Sequence, residues 1–385
     1  MSHSFLVFYL NFGPYHYARL GALARVLPGS LAVEICRKHE KYPWDHESVT
    51  FPFDMMTLFD AAVEDTDERL QSSKAVDLLV RVRPQAVLVV GYTDRVMRDV
   101  ARAARRLGRP CILTTSTTSI DRPRYRLKEL AKAIWCRLHY DALFLSGERS
   151  VRYFEGLGFN SDLIWRGTDV VDNEHFSARA DTVRIRPDDF RKHFGLPEKY
   201  FLTVGRLSPE KNFVKLLNAY FHYRRLGGAW DLVVIGSGPQ ERELHALSEA
   251  SRHRGVHFLG WQSYNTIPAY YGLASCFVLP SVSETWGLVV NEAMACGLPV
   301  LVSRNCGCVP ELCQRGINGY DFDPFDEEML ADLMLQMSSG EEDLVKMGNA
   351  SRRIIANFTP ETWALSLRDC FKTVISNRVR AMART

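Results

Sequence analysis

Short apolar runs alternate with longer stretches of helical periodicity along the whole chain. That rhythm is the one produced by parallel sheets with helices on both faces, so an α/β fold is predicted. In the first half the predicted strands are Phe5 to Leu10, Leu31 to Ile35, Ala86 to Val90, Cys111 to Leu113 and Ala142 to Leu145. A helix is predicted from about Thr93 to Leu107, stopped by Gly108 and Pro110. The second half repeats the rhythm at Tyr200 to Val204, Leu232 to Ile235, Val256 to Leu259, Cys276 to Leu279 and Val300 to Val302. Between the halves, Asp172 to Pro197 is rich in charge and poor in apolar periodicity, and reads as a linker. Near the end, Thr359 followed by Pro360 reads as an N-cap with proline at the first helical position, opening a helix to about Val379.

At 385 residues the chain exceeds the size at which one hydrophobic core stops growing. Two Rossmann-like, doubly wound domains are expected, residues 1–172 and 195–359, with the terminal helix 360–385 packed back on the first. Ligands of open α/β sheets sit at the carboxyl ends of the strands, which places the expected site in a cleft between two facing domains. A dinucleotide dehydrogenase would share this layout, but its glycine fingerprint is incomplete. Gly236, Ser237 and Gly238 follow a strand, and Glu241 stands where the third glycine belongs.

Composition narrows the class further. With 46% hydrophobic and 24% charged residues the chain is neither disordered nor membrane-embedded. Its longest apolar runs are strand-length, well short of the ~18 residues of a spanning helix. The start, MSHSFLVFYLNFGP, lacks a basic n-region and a small-residue cleavage site, so a cytoplasmic location is expected. Nine cysteines, odd in number and scattered, suit free thiols in a reducing compartment. Cys306, Cys308 and Cys313 cluster, but their spacing matches no common zinc site and no histidine is near; no metal is expected. A net charge of +3 is too small to imply nucleic acid. Its distribution is uneven, with twelve Lys/Arg between Arg95 and Arg137 against Asp99, Asp121 and Glu129, which predicts a basic surface on the first half.

Three segments of the second half carry the candidate chemistry. In TVGRLSPEKN a strand ends at Gly205 and presents Arg206 and Lys211 before a helix, two cations suited to neutralising a diphosphate without metal. Solvated surface cations are the plain alternative. In LPSVSETWGLVVNEAMACGLPVLVS a strand ending near Pro280 runs through a polar loop into a helix starting around Gly287 or Leu288. The backbone amides of Thr285, Trp286, Gly287 and Leu288 would meet an anion there, helped by the helix dipole. Glu284 in the loop and Glu292 inside the helix are carboxylates able to accept from sugar and ribose hydroxyls; a cap neighbour and a surface residue are the alternatives. VIGSGP, with Gly236, is a strand-to-helix turn at which backbone could approach a ligand closely.

These motifs, GR with EKN, the glutamate pair in SETWGLVVNEA, the trailing GLPV and the run PELCQRGINGYDFDP, closely resemble the GT-B glycosyltransferases of family GT4 over residues 200 to 340. The resemblance implies a retaining, metal-independent transfer of a sugar from a UDP- or GDP-sugar, with no cofactor beyond that donor. It implies Arg206 and Lys211 on the donor diphosphate, Glu284 on the transferred sugar, Glu292 on the ribose, and the 285–288 amides on sugar and phosphate oxygens. The first half matches less well. Asp172 with Phe176 stands where relatives have an interdomain aspartate and phenylalanine. Gly13 stands in the loop where relatives carry paired glycines near the diphosphate. The histidine that relatives place after the strand ending near Thr114 is replaced by Thr115, Ser116, Thr117 and Thr118.

Acceptor-side candidates are His16 and Asp94; a structural histidine and an N-cap aspartate are the alternatives. The acceptor is expected to be a carbohydrate or a lipid-linked glycan, as in polysaccharide synthesis. A sugar-nucleotide epimerase, a glycan phosphorylase or an inactive nucleotide-sugar-binding protein on the same scaffold are the competing functions. Finally, Leu127, Leu130, Ala131, Ile134 and Leu138 fall at helical spacing among Arg124, Lys128, Lys132 and Arg137. Such a stripe either packs on the core or, with its cations, gives weak peripheral attachment to an anionic membrane face.

Overall fold

The structure, a computed structural model, describes residues 3–40 and 53–383. Within them the chain forms two compact units: Met1–Ser119, Pro123–Val171 and Phe358–Thr385 make the first, Ile120–Arg122 and Asp172–Asn357 the second. The ends of the expected terminal segments, residues 1–2 and 384–385, lie outside the described residues.

Among the described residues the first unit holds a seven-stranded parallel sheet. Its strands are β1 (Phe5–Tyr9), β2 (Ser30–Lys38), β3 (Asp54–Ala62), β4 (Ala86–Val90), β5 (Cys111–Thr115), β6 (Ala142–Leu145) and β7 (Ile164–Arg166), in the order β3-β2-β1-β4-β5-β6-β7. Side chains alternate across β1 and build two cores. Leu6 and Phe8 enter one with Val96 and Val100 of the helix Arg95–Arg106. Phe5 and Val7 enter the other with Trp363, Leu367 and Phe371 of the helix Pro360–Met382. Thr359 starts that last helix, its Oγ1 accepting from the Thr362 amide at 3.2 Å.

The second unit carries β8 (Tyr200–Val204), β9 (Asp231–Ile235), β10 (Val256–Phe258), β11 (Cys276–Leu279), β12 (Val300–Ser303) and β13 (Gly319–Phe322). They form a parallel sheet in the order β10-β9-β8-β11-β12-β13. In both sheets the order reverses at the first strand, between β1 and β4 and between β8 and β11, where open α/β sheets bind ligands at their carboxyl edge.

One expectation changes, and one open alternative is decided. Residues 173–194 are not a linker: they form the helices Asn173–Ile185 and Pro187–Phe194 of the second unit. Phe176, Ala180 and Val183 bury a stripe three residues wide, and Asp172 caps the first helix by accepting from the His175 amide at 3.0 Å. Such a narrow stripe is hidden among the charges of the segment. The second point decides an open alternative, for the helix Arg126–His139. It buries Ala133 and Cys136, and its leucine stripe faces outward, with Leu127 82% and Leu130 59% exposed and Ile134 and Leu138 also exposed. The stripe is therefore not part of the core.

Candidate functional site

At the carboxyl edge of the second sheet, β8 ends at Val204 and the chain turns through Gly205 and Arg206 to Lys211 and Asn212. Asn212 stands in left-handed backbone (φ +61°), which asparagine tolerates better than most side chains. Its amide donates to the carbonyls of Pro280 (3.1 Å) and Pro324 (2.8 Å), and the Val282 amide donates to Glu210 O (3.0 Å). The turn after β8 is thereby fixed to the loop after β11.

That lock brings Lys211 and Glu284, 73 positions apart, into a direct ion pair, Lys211 Nζ donating to Glu284 Oε2. Both side chains are mostly covered. Burial by itself would lower the Lys211 pKa, yet the Glu284 carboxylate outweighs it and the pKa is raised, so Lys211 stays charged through the neutral range. Arg206 is exposed on the same turn, and its guanidinium makes no hydrogen bond or ion pair with the described residues.

Glu284 is followed by Thr285, Trp286 and Gly287, then by the helix Leu288–Ala295. Gly287 has φ +108°, and a Cβ there would stand 3.1 Å from Leu279 Cδ2, so only glycine makes this entry. Trp286 is buried and its Nε1–H donates to Asn291 Oδ1 at 2.9 Å, anchoring the loop to the helix. The N–H groups of Thr285, Gly287 and Leu288 donate to no acceptor among the described residues, as the first turn of a helix leaves them free to do. Glu292 is 2% exposed rather than on the surface, and accepts from the Tyr271 hydroxyl at 2.7 Å.

Gly236 lies beside this turn with φ +140°, and a Cβ there would fall 1.9 Å from Gly205 O. Its close backbone approach is thus to the turn after β8. Together these residues set two cations, a paired carboxylate and a helix start on one sheet edge, an arrangement able to neutralise an anion and to accept from hydroxyls. Among the described residues no group of three or more His, Cys, Asp or Glu is placed to hold a metal ion.

The first-unit candidates are arranged differently. Gly13 precedes the helix Pro14–Val26 in extended backbone (φ −135°) open to any residue, and its N–H donates to His16 Nδ1 at 2.8 Å. His16 packs on Tyr9, ring centroids 4.6 Å apart. Burial, helped by Arg19, pushes its pKa down to about 3. His16 is therefore neutral with its proton on Nε2, and its near side caps a helix. Asp94 holds the N-cap position of Arg95–Arg106 without a capping hydrogen bond, its pKa raised by burial. The hydroxyls that replace the expected histidine serve other partners. Ser116 donates to Asp169 Oδ2 at 2.6 Å and Thr168 at 3.1 Å, Ser146 donates to the same oxygen, and Thr115 and Thr117 share a 2.9 Å hydrogen bond.

Sequence reading missed Tyr271, Asn291 and the role of Asn212. The first stands in the helix Ile267–Leu273, where nothing local marks a tyrosine whose partner is 21 positions away. Asn212 had a signal, since asparagine after a charged turn is a recurrent left-handed residue.

Two doubly wound parallel units make up the α/β GT-B architecture. The fold likeness is direct: the chain superposes on the Anabaena HepE structure in complex with UDP and glucose with a TM-score of 0.74 at 16% identity, covering 96% of this chain and 99% of that one. Residues 185–354 match the model of the glycosyl transferases group 1. Sulfoquinovosyl transferase SQD2 of Arabidopsis thaliana is 29% identical over 296 residues, 73% of this chain and 55% of that protein. The GDP-mannose-dependent alpha-(1-6)-phosphatidylinositol monomannoside mannosyltransferase of Mycobacterium tuberculosis is 30% identical over 211 residues, 51% and 54% of the two chains. The chain thus spans about half the length of these curated relatives, and both accord with the GT4 resemblance.

Proposed function

We propose that the protein is a retaining, metal-independent glycosyltransferase that moves a sugar from a UDP- or GDP-sugar to a carbohydrate or lipid-linked acceptor. The observation that carries the reading is the Lys211–Glu284 pair beside the free amides that start the helix Leu288–Ala295. Lys211 and Arg206 hold the diphosphate, the amides of residues 285–288 hold phosphate and sugar oxygens, Glu284 accepts from the transferred sugar, and Glu292 from the ribose. When donor enters, its phosphates compete for Lys211 and free the Glu284 oxygen that lysine now occupies. The developing charge on the leaving diphosphate is met by fixed cations and the helix start, the part a metal plays elsewhere. The second unit is the donor domain and the first the acceptor domain, with Gly13 near the donor diphosphate and His16 and Asp94 on the acceptor side. Retention rests on the family resemblance. The named relatives support both bases: one uses GDP-mannose, and the HepE structure holds UDP.

The outward leucine stripe of Arg126–His139, flanked by Lys128 and Arg137, supports peripheral attachment of the first unit to an anionic membrane face. No helix among the described residues is long and apolar enough to cross a membrane. A relative named for phosphatidylinositol monomannoside fits a lipid-linked acceptor.

Incubation with UDP- and GDP-sugars and candidate acceptors, in the presence of EDTA, tests the reading. The expected result is free nucleoside diphosphate together with a glycosylated product whose anomer matches the donor by NMR. An epimerised donor with no nucleoside diphosphate, phosphate-dependent sugar release, or binding without turnover would each replace it with one of the competing functions.

A further inference from the structure

At the opposite, amino-terminal edge of the second sheet, Lys199 leads into β8, Ser275 into β11 and Pro299 into β12. These residues line a pocket of about 510 Å³. Four cations face it, Arg184, Arg191, Lys199 and Arg352, against the carboxylate of Asp181. Strands of four to five residues at ~3.3 Å each separate it by roughly 13 to 16 Å from the turn bearing Arg206, Lys211 and Glu284.

Asp181 is already shared. Arg352 donates to both its oxygens (3.0 and 2.5 Å), and Arg184 donates to Oδ1 at 3.2 Å. The hydrogen bonds from Arg352 are the chief cause holding the Asp181 carboxyl below the usual carboxylate range. Arg191 reaches only Asp188, at 3.1 Å, whose side chain is 94% exposed, and its Nε is buried without a hydrogen-bond partner. Lys199 is exposed and forms no ion pair with the described residues. Four like charges converge on the pocket against Asp181 on its wall and Asp188 beside Arg191, which leaves two positive charges uncompensated. Such convergence is unfavourable in the empty protein and is relieved by a multiply charged anion.

We infer that this pocket is a second anion site, built for a small phosphorylated molecule. A planar guanidinium fork matches phosphate oxygens, and a lysine adds a point charge. The volume lies within the roughly 300 to 1,000 Å³ of small-molecule sites. Ser275 and Asn349, also on the wall, offer neutral hydrogen-bonding groups for the remainder of such a ligand. The site also touches the helix whose start follows Glu284. Arg184 donates to the Cys296 carbonyl at 2.7 Å, at the far end of the helix that begins after Gly287.

The test is calorimetric titration with inorganic pyrophosphate on the full chain carrying Arg206→Ala and Lys211→Ala, which disables the donor turn. One equivalent of pyrophosphate still binds. Adding Arg191→Gln and Lys199→Gln weakens that binding about 100-fold or more, two charge-assisted hydrogen bonds at about tenfold or more each. Lys199→Gln alone, a change to an exposed side chain that leaves the fold intact, weakens it about tenfold, the worth of one such bond. Loss of all binding in the donor-turn variant, or an affinity unchanged by Lys199→Gln and by the added pair, would overturn the assignment. Neither arm depends on transfer activity, so the site stands or falls separately from the proposed enzyme.

Discussion

The carboxyl edges of the two sheets share a strand order and differ in what their polar side chains do. On the first, Asp169 gathers the hydroxyls of Ser116, Ser146 and Thr168, Arg19 Nε donates to the Val170 carbonyl at 2.9 Å, and His16 caps its own helix. On the second, the amides of Thr285, Gly287 and Leu288 and the Arg206 guanidinium are unengaged by the described residues, and Lys211 forms an ion pair with Glu284. Polar groups that satisfy one another make a scaffold; groups left poised make a site. The first unit's recognisable surface is instead the outward leucine stripe of Arg126–His139.

That contrast is sharpened most by Lys211→Ala, which should weaken donor binding toward the upper end of ~10- to 150-fold, because it removes a covered cation and strands the Glu284 carboxylate. Arg206→Ala, on an exposed side chain, should fall near the lower end of the same range. Isothermal titration of nucleotide sugars reads both, and equal wild-type affinity in either would dissolve the distinction between the edges.

Next in size, Tyr271→Phe removes a hydrogen bond to the buried Glu292 carboxylate and should lower stability by about 1.5 to 3 kcal/mol in urea unfolding. No loss would mean that Glu292 draws its stability from elsewhere.

On the scaffold edge, His16 makes a pH signature. Its folded pKa of about 3 lies below the ordinary 6.5, so between those values the unfolded chain binds the extra proton. Stability is full above pH 6.5 and is lost as the pH falls toward 3, by about 2 kcal/mol between pH 7 and pH 5. His16→Gln should flatten that slope; an unchanged slope would show that His16 titrates freely.

The smallest effect is expected on the stripe. Leu127→Asp should shift stability by no more than about 0.5 kcal/mol, yet abolish co-sedimentation with anionic vesicles at low salt. Equal binding of the wild type to anionic and neutral vesicles, or none to either, would remove the membrane reading.

Much of this was legible before the structure, and the exceptions have physical reasons. Ala86–Val90, Ala142–Leu145, Tyr200–Val204 and Cys276–Leu279 are buried on both faces, and their apolar runs coincide with the strands. β3 escaped because it is a half-exposed strand at the sheet edge with an aspartate at its start, and β13 because it is four residues long and begins at glycine. Arg206, Lys211 and Glu284 stood out through the spacing of their motifs and the resemblance it carries, since read alone each could be a solvated surface residue or a cap neighbour. The orientation of Arg126–His139 could not be read, since a leucine stripe has the same spacing whether it meets a core or solvent. Here the small residues Ala133 and Cys136 let that face approach the sheet instead.

The most direct test of the central claim, that the second edge is a nucleotide-sugar site, is thermal unfolding of the wild type and Lys211→Ala across a panel of UDP- and GDP-sugars. At a ligand concentration 100 times the dissociation constant, one sugar nucleotide should stabilise the wild type by ~2.7 kcal/mol and leave Lys211→Ala nearly unshifted. No shift with any sugar nucleotide, or an equal shift in both proteins, would contradict it.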